Sequence, residues 1–411
     1  MVAIGDYFSR NVIVVAFFTA LISSSIDQYP NIEPVPVELN YALPTVQQQE
    51  QFELNAATKV VSSVYDHAEK LLEGEALAAE DMAVAADGRA YMGLRDGRIV
   101  SFAPEDLVLR NFSRIGADLP TCGELESEPK CGRPLGVLFT RAAPFQRYLK
   151  RIKNAQLFPN DQVMLVADAY KGLHLMDAVG TKVFLFNHAN GTPTKFLNAL
   201  AVTEDGTVYA TDSSTRYPRN KVLLDLLEHI PSGRLLRFQP QRGDVEVLAE
   251  DLPFPNGLVL ADNEQSLLIA MSMEKKIAKF TIRTRKFEDF AFIPGAPDNV
   301  WIDHSAGADG APKTMFVGIV SRPSLVYRLL MQSMKARKIL ALLPRWVTMA
   351  VLKRTSVFAT IDLLSGEIQH LYEETTGKAF LVSGVHGLGD HYYLLSWARD
   401  YVVRIPKSVF N

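Results

Sequence analysis

The sequence predicts an all-β chain: a six-bladed β-propeller with short helical insertions, preceded by an N-terminal hydrophobic segment. The first observation is a recurring pattern of an acid-Gly or Asn-Gly turn, a short β-type run, a second tight turn and another β-type run, repeated at spacings of about 45–75 residues. The second is that each repeat can build only a small antiparallel sheet, and radial stacking is the standard way to protect so many sheet edges. The third is composition: 411 residues, 48% hydrophobic, 22% charged and a formal charge of −3. That balance excludes extensive disorder, collagen and a polytopic membrane protein, and it shows no basic bias toward nucleic acid.

Taken from the N-terminus, residues 1–10 read as a short cytosolic tail and residues 11–26, NVIVVAFFTALISSSI, as an uncharged run. A bilayer span needs about 20 apolar residues and a cleaved signal a core of about 7–15, so signal-anchor and signal peptide both stand, with Ser23–Ser25 as a cleavage region; a buried core element is the third reading. Arg10 before the run and Asp27, Glu33 and Glu38 after it orient an uncleaved anchor with its N-terminus in the cytosol. The expected location is the secretory pathway, either as a single-pass type II protein of the endoplasmic reticulum or plasma membrane or as a secreted chain. Residues 27–56, with Pro34, Pro36 and Pro44, read as a linker, and 57–411 as the propeller.

The repeats run AADGRAYMGLRDGRIVSF from Ala85, PNDQVMLVADAYKGLHLM from Pro159, TEDGTVYATDSS with SGRLLRF from Thr203, ADNEQSLLIAMSMEKKIAKFTI from Ala261, KTMFVGIVSRPSLVYRL from Lys313 and LGDHYYLLSWARDYVVRI from Leu388. The stretch from about Ala57 to Leu72 is expected to complete the last blade. Two segments break the strand pattern. In FTRAAPFQRYLKRIKNAQL, Phe145, Leu149 and Ile152 have helical spacing beside Arg141, Arg147, Lys150, Arg151 and Lys153, which suits either a rim surface for an acidic protein partner or membrane, or a solvated helical loop. Arg328–Met349 reads as a lid, a membrane-leaning surface or a packed helix.

The two cysteines, Cys122 and Cys131, admit a local disulfide or a pair of buried thiols, and sequons at Asn111 and Asn190 fit an exported chain. Glu80, Asn198, Asn256, Asp298 and Asn299 recur at the starts of successive blades. If each caps an innermost strand, carboxylates and amide oxygens converge on the central channel, a donor set that suits Ca²⁺ and not zinc. Turn chemistry explains any one of these residues alone, Asn256-Gly257 above all, but not their shared phase.

CGRPLG (Cys131–Gly136), VADAYKGL, YATDSST, SGRLLRF, FPNGLVL and PDNVWID together resemble the strictosidine synthase-like propellers, and among them the adipocyte plasma membrane-associated protein branch. The resemblance, over roughly Leu72–Pro406, implies six blades, a type II topology and arylesterase activity. More distantly, the metal pattern of the calcium-dependent paraoxonases matches Glu80, Asn198, Asn256, Asp298 and Asn299. A second calcium would use Asp81, but Ala199 stands where it needs an acid. Ser383 replaces the glutamate base of strictosidine synthases, which removes the proton acceptor of their amine–aldehyde condensation. The usual acid-His-Asp-Gly turn is altered to Gly387–Asp390, and Arg133 and Asp168 stand where the paraoxonase histidine pair is expected.

The expected function is therefore calcium-dependent hydrolysis of small apolar esters or lactones, with Asp298 as ligand and base or nucleophile and His386 assisting. Tyr170, Trp301, Ser383 and Trp397 are the candidate substrate-binding residues. The competing expectation is a non-catalytic binding, adhesion or scaffold propeller with a structural calcium.

Overall fold

In the computed structural model, which describes residues 32, 34, 59–304, 313–322, 330–345 and 354–410, six sheets follow one another along the chain. Their innermost strands are Met82–Val84, Pro134–Arg141, Leu197–Val202, Pro255–Ala261, Ala296–Asp303 and Val382–Leu388, for blades 1 to 6 in order. This is a six-bladed β-propeller. The tail, the hydrophobic run and most of the linker lie outside the described residues, and no described helix is long and apolar enough to cross a membrane.

Acid-Gly turns join the strands as the sequence suggests. At Asp87, Asp96 and Asp205 the carboxylate accepts the backbone N–H two residues on, and the glycine that follows each has a positive φ. Second strands are sandwiched between neighbouring blades, so Ser266–Met271 (SLLIAM) is buried along its whole length, whereas the outermost Lys286–Phe292 (KFEDFAF) is largely exposed. Blade 6 takes its fourth strand from near the other end of the described chain: Glu69–Leu71 pairs antiparallel with Val402–Arg404, and Arg404 forms an ion pair with Glu69 at 2.8 Å. Val60–Val61 adds a fifth, parallel strand to blade 5, which the sequence did not suggest.

The basic segment after the first strand of blade 2 is a single turn of helix, Gln146–Leu149, led by the 3₁₀ turn Ala143–Phe145. Phe145, Leu149 and Ile152 are buried in the apolar cluster shared by blades 2 and 3, so they form no apolar face for a membrane. Arg141 meets Glu204 at 2.9 Å, and Arg147 donates to the carbonyls of Gln241 and Arg242.

The chain divides into two compact units, one of which combines residues 1–40, 221–230 and 323–353. Its helices, Val222–Glu228 and Met334–Leu342, arise between the second and third strands of blades 3 and 5. Ser333 caps the second helix by accepting the Ala336 N–H. Leu227, Met331, Leu340 and Ile32 form a small core, and buried Arg337 donates to the carbonyls of Leu227 and Glu228 at the end of the first helix. Arg328–Met349 is thus a packed helix over its described part.

Two stability results follow. Cys122 and Cys131 form a disulfide, and closing so short a loop is worth about 2–3 kcal/mol. Reductant should therefore lower the denaturation midpoint; an unchanged midpoint contradicts this. In blade 2, burial pushes the His174 imidazole down to about 4, with the Gly172 carbonyl opposing the shift. The unfolded chain binds this proton near pH 6.5 and the folded chain does not. Stability should fall by up to about 3 kcal/mol from pH 6.5 to 4, and His174→Gln should flatten that slope in urea titrations.

Candidate metal centre

Five innermost strands shift register near their starts: at Pro134/Gly136, Leu197/Leu200, Pro255/Leu258, Pro297/Val300 and Val382/Gly384. A bulge breaks the in–out alternation and re-aims side chains. Asn198, Asn256, Asp298, Asn299 and Ser383 all fall inside these shifts, which is the physical basis of the phase they share in the sequence. Asn256-Gly257 is therefore part of a strand and not a turn. A Cβ on Gly257 would stand 2.6 Å from the Asn299 Cα, so glycine permits the close approach of blades 4 and 5.

The five candidate ligands are all buried. Glu80 precedes the innermost strand of blade 1, and its carbonyl accepts from Asn299 Nδ2 at 2.9 Å and Ser383 Oγ at 3.1 Å, tying blade 1 to blades 5 and 6. Asn198 Nδ2 donates to Ser213 Oγ at 3.0 Å, and Asn256 Nδ2 donates to Asp298 Oδ1. All three amides thus direct their N–H groups at protein acceptors, and the buried Asn256 Oδ1 has no hydrogen-bond partner. An orphaned amide oxygen on the residue that holds Asp298, whose carboxylate feels the Glu80 charge, fits a hard cation. Burial raises the Asp298 pKa well above the usual range, the Glu80 charge adds to the rise, and the Asn256 bond opposes it.

Two buried guanidiniums complete the electrostatics. Arg133 Nη2 lies 3.0 Å and Arg219 Nη2 3.6 Å from Glu80 Oε2, and Arg219 Nη1 donates to Glu128 Oε1 at 2.7 Å. Burial lowers Arg133 to about 10, with Arg219 repelling it and Glu80 attracting it, so it stays cationic at neutral pH. Asp168 holds this loop in place by accepting the backbone N–H groups of Arg133, Tyr170 and Lys171; burial lifts it to about 6 against those bonds. Glu128 and Arg219 have no local pattern that marks them, because their pairing joins positions 91 residues apart.

The other candidates scatter. Tyr170 is half-buried, and its hydroxyl donates to Glu128 Oε2 and accepts from the Asn220 N–H. His386 Nε2 lies 2.8 Å from Asp81 Oδ1 without the alignment of a hydrogen bond, its ring is 5.8 Å from Trp301, and no bond joins it to Asp298. Trp301 also packs on Phe316 and Tyr392. Half-buried Trp397 follows the strand His391–Ser396 at the channel end that holds Ser383. Asp81 accepts from the N–H groups of Met82 and Val137. Asn190 is exposed at the turn of a small hairpin, and exposed Asn111 accepts from Arg98. Among the described residues no group of three or more His, Cys, Asp and Glu converges as a metal site; the set above pairs two carboxylates with amides.

The fold and this channel define a six-bladed propeller with a buried, oxygen-rich centre. Residues 198–285 match the strictosidine synthase family model, and residues 67–102 match the N-terminal model of strictosidine synthase-like proteins. Adipocyte plasma membrane-associated protein of Bos taurus is 29% identical, covering 82% of this chain and 78% of its own length. Strictosidine synthase-like protein 13 of Arabidopsis thaliana is 32% identical, covering 52% of each chain. Among solved structures, a gluconolactonase from Xanthomonas campestris aligns with TM-score 0.53 and 14% identity over 85% of this chain and 94% of that one, which shows the shared fold. The chain is thus similar to the strictosidine synthase-like proteins over these two segments.

Proposed function

We propose that the propeller is a calcium-dependent hydrolase of small esters or lactones, tethered to a membrane by its N-terminal segment and facing the lumen or outside. The observation that carries the reading is the buried set of two carboxylates and three amide oxygens, with Asn256 Oδ1 unpartnered. Glu80, Asn198, Asn256, Asp298 and Asn299 would hold the cation, which would supply Lewis-acid polarisation of a substrate carbonyl. The N-terminal run and the sequons, together with the membrane association in the printed name of the bovine relative, support the exported, tethered topology.

The chain's own residues divide the remaining work. Asn256 holds Asp298 by Oδ1, which leaves Oδ2 to face a ligand or hold a proton, and burial raises its pKa in the direction that favours the protonated form. Arg133 and Arg219 balance the charge of Glu80 from its Oε2 side. The Ser383 hydroxyl is engaged by the Glu80 carbonyl, so it supplies no proton acceptor for an amine–aldehyde condensation.

A second reading, a non-catalytic binding or scaffold propeller, is favoured by one observation: Arg133 neutralises Glu80 directly. Hydrolysis of an aryl acetate and a simple lactone, with calcium and with chelator, separates the two. The hydrolase reading expects turnover that chelator abolishes and calcium restores. Absence of turnover from protein that calcium stabilises would move the assignment to a binding module.

A further inference from the structure

We infer that the cleft between blades 5 and 6, on the propeller face opposite the metal centre, is a second binding site, for an aromatic carboxylate. The innermost strands of these blades begin beside Asp298 and Ser383 and end at Asp303 and Leu388. The cleft has a volume of about 910 Å³ and is lined from the far ends: Asp303, His391 at the start of the next strand of blade 6, and Lys407 just past its third. Such a volume suits a small organic ligand.

Its lining combines aromatic rings with four charged side chains, Lys313 and Lys407 with Asp303 and Asp390, and Lys407 is the ammonium that faces a ring. The Phe410 ring packs 5.0 Å from both Tyr372 and Tyr392 and so bridges the two blades. The nearby carboxylate of Asp303 is engaged by the Tyr392 hydroxyl. Lys407 Nζ lies 5.3 Å from the Tyr392 ring centre, and its backbone N–H donates to the carbonyl of Asp390, whose side chain also lines the cleft. His370 and His391 add ring N–H groups to the lining. Tyr372 and Tyr392 are buried behind half-buried Phe410, so a planar ring packed on Phe410 with its carboxylate at the Lys407 ammonium meets both features at once. Inorganic anions lack the ring, and neutral aromatics lack the charge.

The test is calorimetric titration of the full chain with 2-naphthoate, 2-naphthylmethanol and inorganic phosphate. Saturable naphthoate binding is expected, about tenfold weaker in Lys407→Met, restored in Lys407→Arg and unchanged in Asp298→Asn, where the channel and not the cleft is altered. Naphthoate should also raise the unfolding temperature by bridging blades 5 and 6. Equal binding of phosphate or of the neutral alcohol overturns the ligand assignment. Binding that is lost in Asp298→Asn but kept in Lys407→Met, or no saturable binding, overturns the site.

Discussion

Glu80→Ala is expected to destabilise the propeller by about 3–5 kcal/mol, because it leaves a buried cation without its counter-charge. Arg133 is fully buried, Glu80 is its ion-pair partner, and its Nε and Nη1 already have no hydrogen-bond partner. Arg219 loses less, since it keeps Glu128. Arg133→Met in the Glu80→Ala background should recover much of the loss, as an apolar replacement of both partners avoids the stranded charge. Urea unfolding of the two single variants and the double variant measures the coupling. A Glu80→Ala cost below about 1 kcal/mol, typical of exposed pairs, would show that the guanidinium reaches solvent.

Asp298→Asn should have the opposite profile: activity falls and stability does not. The carboxylate stands in a buried site beside Glu80 and its pKa is raised, so its ionised form opposes folding at neutral pH. In linkage terms, its contribution is fully present below the unfolded pKa near 3.9 and is lost as pH rises through the raised folded value. An amide removes that penalty and keeps the shape. Its charge, however, is half of what the centre offers a divalent cation. Loss of kcat/KM by about a hundredfold or more, with an unchanged or higher unfolding temperature at pH 7, is the expected result. Undiminished hydrolysis in Asp298→Asn would place the chemistry elsewhere.

Much of the fold was legible because turn chemistry is local. Acid-Gly pairs at Asp87, Asp96 and Asp205 set the strand spacing, and second strands such as SLLIAM announce burial on both faces. Candidate ligands were visible through their phase, which the bulges explain. Their electrostatic setting was not visible, because Arg219 reaches Glu128 and Glu80 across long stretches of chain. The polar partners of Tyr170, Glu128 and Asn220, were not visible for the same reason, since they are distant in sequence. The basic segment around Gln146–Leu149 was ambiguous because helical spacing describes a face without saying what covers it. Here the cover is the core of blades 2 and 3.

The most direct test of the central claim is a calorimetric titration of Ca²⁺ into chelator-stripped protein, wild type beside Asp298→Asn. The arrangement of Glu80, Asn198, Asn256, Asp298 and Asn299 predicts one saturable site per chain, lost in the variant and weaker for Mg²⁺, whose octahedral demand a buried amide-rich set meets poorly. No saturable uptake by the wild type, or uptake that Asp298→Asn leaves intact, would contradict it.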